Sequence, residues 1–370
     1  MFAALEFCRV SRYDKPTDFQ ESNDMSRLGR TFSRMVCGVA LALALVAPSH
    51  AQSVADFYKG KQINLVVGTS AGNDYDFRGR LIARYLGKHI PGNPTIVPRN
   101  MPGGGGIQAA NWVTNIAPRD GTVVHMIMAN MMASQAMAMP GVEFDARKLF
   151  WIGNTTSTPN VVNSWFTSGV TSIEDVKKRE LVVGAPMGTA GALYPLLMNA
   201  LAGTKFKLVT GYPGGNEANL AMERGETEGR GSNSWAAWNS TKPDWLREKK
   251  IHILVQIGLR RHPDLPDVPL MLELAHNEAD RKLLEFISAE TNVARSLVTT
   301  PGVPPERVEA LRRAFDAMMK DPEFIAEAAK TQMDMSPSTG EEAQKIAESI
   351  VNTPAEITMR AKALIEAPTK

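Results

Sequence analysis

The sequence predicts an α/β fold of two lobes that face one cleft. Two observations predict it. Short apolar runs rich in β-branched residues alternate with helical stripes along most of the chain. That alternation is the mark of a parallel sheet with helices on both faces. Four glycine-rich loops also each follow a strand and open a helix, two early in the chain and two in its middle.

Taken in order, Ile63-Asn64-Leu65-Val66-Val67 is short, β-branched and ends at Gly68, as a buried strand does. Phe77, Leu81, Ile82, Tyr85 and Leu86 form the apolar stripe of a helix. Thr95-Ile96-Val97 is a second strand. It runs into a glycine-rich turn and a helix from about Ile107 to Asn115. Val123 to Met128 reads as a third strand. Leu181-Val182-Val183, Lys207-Leu208-Val209 and His252 to Leu259 are later ones. Val308, Leu311, Phe315, Met318 and Met319 mark a helix, with Pro304-Pro305 before it and Asp321-Pro322 after it.

Ligands of such sheets sit beyond the carboxyl ends of the strands. The loops there are 68–76 (GTSAGNDYD), 99–106 (RNMPGGGG), 184–191 (GAPMGTAG) and 211–216 (GYPGGN). Glycine lets backbone N–H groups approach a ligand closely. Helix N-termini carry orphan donors and partial positive charge. Together they make a seat for an anion.

The first fifty-one residues are expected to lie outside this fold. Val36 to Val46 is an uncharged run of eleven residues, too short to cross a bilayer. Arg27, Arg30 and Arg34 precede it, and Ser49-His50-Ala51 follows as a small-x-small cleavage signature. This is the pattern of a signal peptide. Met25 is the expected true start, because a leader begun there would have 27 residues. Cleavage after Ala51 would leave 319 residues. Both cysteines, Cys8 and Cys37, lie in the leader, so the mature chain relies on its core and not on disulfides.

Composition narrows the function. The 370 residues are 44% hydrophobic and 22% charged, as in globular proteins. Net charge is +2, and the part after Ala51 has 35 basic against 34 acidic residues. No electrostatic reason exists to propose nucleic acid or an acidic membrane surface as partner. No C-x-x-C or Cys/His cluster supports structural zinc, and the six histidines show no metal-binding spacing. Asp74 and Asp76 lack the rest of a calcium loop. No cofactor or metal is expected.

Two motifs suggest chemistry and are weighed against position. Gly68-Thr69-Ser70-Ala71-Gly72 matches the G-x-S-x-G nucleophile elbow, between a strand and a helix. It lies on the first strand of the mature chain, ahead of the glycine run 103–106, whereas a hydrolase places its elbow deeper. His252, His262 or His276 would have to supply the base. Gly104-Gly105-Gly106-Ile107-Gln108-Ala109 satisfies a dinucleotide fingerprint, but the next acid, Asp120, comes only fourteen residues after Gly106. Met126, Met128, Met131, Met132, Met137 and Met139 read as adaptable core packing, with an apolar pocket lining as the alternative. Trp235 and Trp238 read as core, with aromatic ligand contact as the alternative. Arg99 and Arg230 lie beside the loops, where either could pair with a carboxylate.

The order and spacing of these motifs resemble the extracytoplasmic solute-binding receptors of tripartite tricarboxylate transporters, the Bug or TctC-like family. The resemblance runs through Gly72-Asn73-Asp74-Tyr75-Asp76-Phe77-Arg78-Gly79-Arg80, then the loop 100–106 (NMPGGGG) and Ala117 to Thr122. It continues through Gly184 to Ala192, Tyr212-Pro213-Gly214-Gly215, Leu265 to Pro269, Thr300 to Pro304 and Asp321-Pro322. It spans roughly Phe57 to Glu366. Two departures stand out. Gly72 to Asp76 replaces the family's Gly-Gly-Gly-Thr-Asp, and Asn216-Glu217 stands where small residues are common.

The resemblance implies a type II Venus-flytrap, periplasmic-binding-protein fold with two crossover strands. Lobe one would be 52–157 plus 285–370, and lobe two 158–284. It implies a periplasmic, monomeric, non-enzymatic protein. Such a protein takes up a small organic acid and delivers it to membrane permease subunits. A ligand carboxylate would be held by backbone N–H groups and bridging waters at the first-lobe loops. The expected first-lobe contacts are Ser70, Ala71, Gly72, Asn73, Asp76, Gly104, Gly105 and Gly106. In the second lobe they are Gly188, Thr189, Ala190, Gly214 and Asn233. Asp76 is expected to cap its helix or meet a ligand amine or hydroxyl. The alternatives are a serine hydrolase acting through Ser70 and a ligand-sensing receptor of the same fold.

Overall fold

The computed structural model describes residues 52–186 and 188–366. The expected leader, with Met25, Cys8 and Cys37, lies outside the described residues, as does Met187. Strands form at β1 (Gln62–Val67), β2 (Thr95–Asn100), β3 (Val123–Met126), β4 (Phe150–Asn154), β5 (Asn160–Trp165), β6 (Leu181–Pro186), β7 (Phe206–Tyr212), β8 (Gly229–Ser234), β9 (Ile251–Ile257), β10 (Ser296–Thr299) and β11 (Ser338–Thr339). They make two sheets. One has the order β11-β4-β10-β3-β1-β2, the other β7-β6-β8-β5-β9.

The expectation of parallel sheets needs correcting: both sheets are mixed. β1 is parallel to β2 and β3, but β10 is antiparallel to both its neighbours, β3 and β4. In the other sheet β6 is parallel to β7 and β8, but β5 is antiparallel to both β8 and β9. The short β11 also runs against β4. The cause is the chain path. It leaves the first sheet at Asn154 and enters the second at Asn160, and returns between Ile257 and Ser296. β5 and β10 are the first strands after each passage. They enter their sheets from the side where their neighbours end, so they run opposite to them. The two passages lie side by side. Asn154 Nδ2 donates to Asn292 O at 3.1 Å, and Thr155 N to Arg295 O at 3.1 Å.

Local sequence explains how the loops are aimed. The helix Asp74–His89 is capped by Asn73, whose side chain accepts from Asp76 N at 3.2 Å. It buries Leu81, Ile82 and Leu86. Gly79 sits mid-helix, which costs about 1 kcal/mol relative to Ala. A Cβ there would come within 2.9 Å of Val67 Cγ2, so the glycine lets the helix lie close on β1. In the second sheet, Pro195 stands inside the helix Ala190–Ala202 and cannot donate to Gly191 O four residues back. Gly231 of β8 packs against that carbonyl, where a Cβ would be 2.1 Å from it. This approach brings the end of β8 beside the start of the helix.

One apolar cluster packs Leu81, Leu86, Phe315 and Phe324 against β1 and β3. A second continues from the other face of the first sheet into the second sheet, and includes Val66, Met131, Trp151, Val183 and Leu197. Met126, Met131, Met132 and Met137 are all core. Trp165, Trp235, Trp238 and Trp245 form a third cluster, so Trp235 and Trp238 are packing residues.

Candidate functional site

Between the two sheets lies a cavity of about 460 Å³. That is the size of a small-molecule site. Its first wall is the loop after β1 and the turn after β2. Thr69 Oγ1 donates to Asn73 Oδ1 at 3.0 Å, and Asn73 Nδ2 to Ser70 O at 2.8 Å, so side chains lock the loop. The turn Gly104–Gly106 runs at φ +55°, +64° and +104° and opens the helix Ile107–Asn115 without a side-chain cap. The second wall is the starts of the helices Ala190–Ala202 and Gly215–Glu223, which also lack side-chain caps. Thr189 Oγ1 donates instead to Pro186 O at 2.8 Å. Uncapped helix starts thus border the cavity from both sides, which favours an anion.

Of the expected contacts, Ser70, Asn73, Gly104, Gly105, Thr189, Ala190, Gly214 and Asn233 line the cavity. Five do not: Ala71, Gly72, Asp76, Gly106 and Gly188 lie outside it. Ala71 and Gly72 are on the exposed outer side of their loop. Asp76 neither caps its helix nor faces the cavity. Its carboxylate accepts from Gly72 N at 2.8 Å, Asn100 Nδ2 at 2.9 Å and Arg80 Nε at 2.9 Å. Burial pushes the Asp76 carboxyl up, but these donors outweigh it and hold it below the usual range. Arg99 is exposed and does not line the cavity, whereas Arg230 does. Among the methionines singled out above, Met128 alone lines it.

No protein-family model matches the chain. A UPF0065 protein in the gbd 5′ region of Cupriavidus necator is 26% identical over 318 residues, 80% of this chain and 87% of that one. The periplasmic binding protein BugD superposes with a TM-score of 0.66 at 19% identity, covering 82% of this chain and 98% of its own. R. palustris Rpa4515 with adipate gives 0.64 at 21%, covering 81% and 97%. The fold is that of the Bug and TctC periplasmic binding proteins.

In this periplasmic-binding-protein fold the two walls touch. Asn216 Nδ2 donates to Gly72 O at 3.0 Å, and Asn130 Nδ2 to Gly188 O at 3.1 Å. Gly105 and Gly188 meet so closely that a Cβ on Gly105 would be 2.3 Å from Gly188 O. Gly72 and Gly188 therefore take part in contact between the walls. Asn216, where the sequence departs from the family, is one of the links.

Sequence reasoning missed the most organised side chain of the site. Arg295 is 4% exposed and reaches the cavity from the end of the return passage. Its Nε pairs with Asp74 Oδ2 at 2.7 Å, Nη1 donates to Tyr75 Oη at 2.9 Å, and Nη2 to Ser234 Oγ at 2.8 Å. The guanidinium also lies 4.0 Å over the Tyr75 ring. It ties the first wall to β8 of the second. Burial pushes the Asp74 carboxyl up, but Arg295, Arg78 and Ser240 outweigh it and hold it down. Nothing local in the sequence marks Arg295, since Asp74 is 221 residues away.

Ser70 stands in the wall, but no histidine lines the cavity among the described residues. His252 lies on β9 and His262 and His276 in other segments.

Proposed function

We propose that this chain is a periplasmic solute-binding protein that captures a small organic carboxylate between its sheets and delivers it to a membrane permease of the tripartite tricarboxylate type. One observation carries the reading. The cavity is walled by glycine-rich loops and uncapped helix starts that converge from both sheets, an arrangement that binds an anion and places no histidine beside Ser70 among the described residues. Adipate, bound in the R. palustris structure, is a ligand of the expected kind. The two lobes are 52–157 with 285–370, and 158–284, joined at the paired passages. The second boundary falls inside the helix Glu278–Ala289, so the hinge proposed there is at an end of that helix. Binding shifts an open–closed equilibrium, and no bond is made or broken.

A thermal-shift screen against mono-, di- and tricarboxylates and aromatic acids tests this. An acid present at 100 times its Kd is expected to stabilise the protein by about 2.7 kcal/mol. No shift with any acid, together with a shift from an ester, overturns the reading.

Gly105→Ala tests closure separately. Its Cβ would collide with Gly188 O, and its φ of +64° disfavours any side chain. The walls are then held apart. We expect affinity for the acid that scores in the screen to fall by about tenfold or more, as the closed fraction falls. Isothermal titration measures it, and unchanged affinity would show that the contact plays no part in closure.

A further inference from the structure

Five acids are buried among the described residues: Asp74, Asp76, Asp280, Asp321 and Glu290. Four of them hold an ion pair, with Arg295, Arg80, Arg360 and Lys88 respectively. Glu290 holds none among the described residues. It lies near the end of the return passage. Its Oε1 accepts from Tyr194 Oη at 2.7 Å, and its Oε2 is buried without a partner among the described residues. An uncompensated buried carboxylate is costly, and such a group takes up a proton instead.

The surroundings supply no countercharge. Tyr194 is the one titratable residue of the helix Ala190–Ala202. Tyr75 of the helix Asp74–His89 lies within reach of the Glu290 charge. Arg295 is spent on Asp74 and acts on Tyr75 and Tyr194, not on Glu290. The helix Gly340–Val351 packs on this segment and buries Ala343, Ala347 and Ile350, while Glu341, Glu342 and Lys345 are exposed and Glu348 is half-buried. On the helix before Glu290, Asp280 pairs with Arg360, Arg281 pairs with Glu285, and Lys282 is exposed.

The place of this carboxyl matters as much as its burial. Tyr194 Oη also accepts from Asn160 Nδ2 at 2.9 Å. Asn160 is the first residue of β5, where the outbound passage ends, and it lines the cavity. One chain of hydrogen bonds thus runs from the return passage, through a helix of the second wall, to the end of the other passage. In the two-lobe division proposed above, Glu290 belongs to lobe one and Tyr194 to lobe two. The walls are in contact here, through Asn216 and Gly72 among others, so this is the closed arrangement. Opening draws Tyr194 away from Glu290 and admits water to the carboxyl.

We propose that closing the cleft seals Glu290 in its protonated form, so that solute capture takes up a proton and rising pH favours release. This rests on the solute-binding reading above and adds a regulator of the same site. Glu290 acts through Tyr194 and Asn160 and is a positioning residue. The sign follows from linkage. Burial holds the proton on the enclosed carboxyl up to about 7, whereas an open, hydrated one releases it near 4.5. Closure therefore gains a proton between those values, and affinity falls as pH rises through them.

Isothermal titration with adipate as the probe tests this on the chain after Ala51. At pH 6.5, two buffers of different ionisation enthalpy should report uptake of roughly 0.7 proton, and Kd should weaken about tenfold from pH 6 to pH 8. Glu290→Gln is neutral throughout and keeps the Tyr194 contact. It should take up no proton at this site and bind adipate about tenfold more tightly than the native protein at pH 8. Adipate's own titration is common to both proteins and cancels in the comparison. Equal pH dependence in both overturns the coupling and leaves the solute-binding reading standing. A second readout needs no acid. The chain after Ala51 has no cysteine, so Ile116→Cys and Leu220→Cys, both exposed and next to opposite walls, place spin labels at those positions alone. Pulsed electron resonance on the ligand-free protein should show a closed-to-open ratio about tenfold higher at pH 6 than at pH 8, and no such change in Glu290→Gln. Distances that do not vary with pH overturn the proposal even where adipate fails to bind.

Discussion

Arg295→Met is expected to lower stability at neutral pH by about 3–5 kcal/mol, because it leaves Asp74 buried and charged without its main partner. Asp74 is 6% exposed, and its other neighbouring cation is Arg78. The pH dependence carries the sign. In the native protein Asp74 titrates below its unfolded range, so its pairing contributes stability above about pH 4 and loses it on further acidification. In the variant, burial acts with less opposition and the carboxyl moves up. Below that higher value Asp74 takes up a proton and the penalty fades. The gap between native protein and variant is therefore widest at neutral pH and narrows toward pH 4. Asp74→Asn combined with Arg295→Met should recover only part of the loss, because Arg78 is also buried and Asp74 supports its charge. Urea unfolding across pH measures both. A gap that stays constant with pH would show that packing, and not charge, is what Arg295 contributes.

Glu290→Gln is expected to stabilise the protein at pH 8 by about 3 kcal/mol and to change little near pH 4. Glu290 is fully buried near the end of the return passage, directly after the helix Glu278–Ala289. Oε1 accepts from Tyr194 Oη at 2.7 Å, while Oε2 has no partner among the described residues. Burial pushes its carboxyl up to about 7, and the Tyr194 hydrogen bond offsets only part of that. In the folded state the proton is held up to about pH 7, whereas the unfolded chain releases it near 4.5. Stability therefore falls as pH rises between those values and levels off above. Glutamine is neutral throughout and keeps the Tyr194 contact, so the slope disappears. The difference between variant and native unfolding free energies, measured from pH 4 to 8, checks this. A difference that does not grow with pH would sink it. Asn160 Nδ2 donates to Tyr194 Oη at 2.9 Å and also lines the cavity, so the same chain of groups connects Glu290 with the site.

Elements with their own local signal were legible. Ile63 to Val67 was found as a strand because a β-branched apolar run ending in glycine has few other uses, and the structure extends it by one residue, to Gln62. The helix Ile107–Asn115 was found at both ends. β8 was not found, because Gly229-Arg230-Gly231-Ser232-Asn233-Ser234 has no apolar residue. It is a strand because β6 and β5 flank it and complete its hydrogen bonds, and small residues there let the helix Ala190–Ala202 lie close. β10 was missed because four residues carry no periodicity. The reversal of β5 and β10 could not be read either, since strand direction depends on where the chain re-enters a sheet.

The site divides the same way. The loops after β1, β2 and β6 and before the helix Gly215–Glu223 could be named because glycine and helix starts are local features. Which atoms of those loops face inward was decided by turns at positive φ, so Ala71, Gly72 and Gly188 point elsewhere while Ser70 and Thr189 line the cavity. The sequence by itself determined the alternation of strands and helices and the four anion-favouring loops, because each depends on residues within a few positions of one another, and the near-neutral charge, because that is a sum over composition. Only the tertiary structure decided that Asp76 is consumed by its own loop, that Asp74 and Arg295 neutralise each other and that Arg230 has the neutral Asn219 as its hydrogen-bond partner. The physical reason is that a buried charge acquires its meaning from its partner. Here the partner lies 221 residues away for Asp74, and for Arg230 it is the neutral Asn219, eleven residues away.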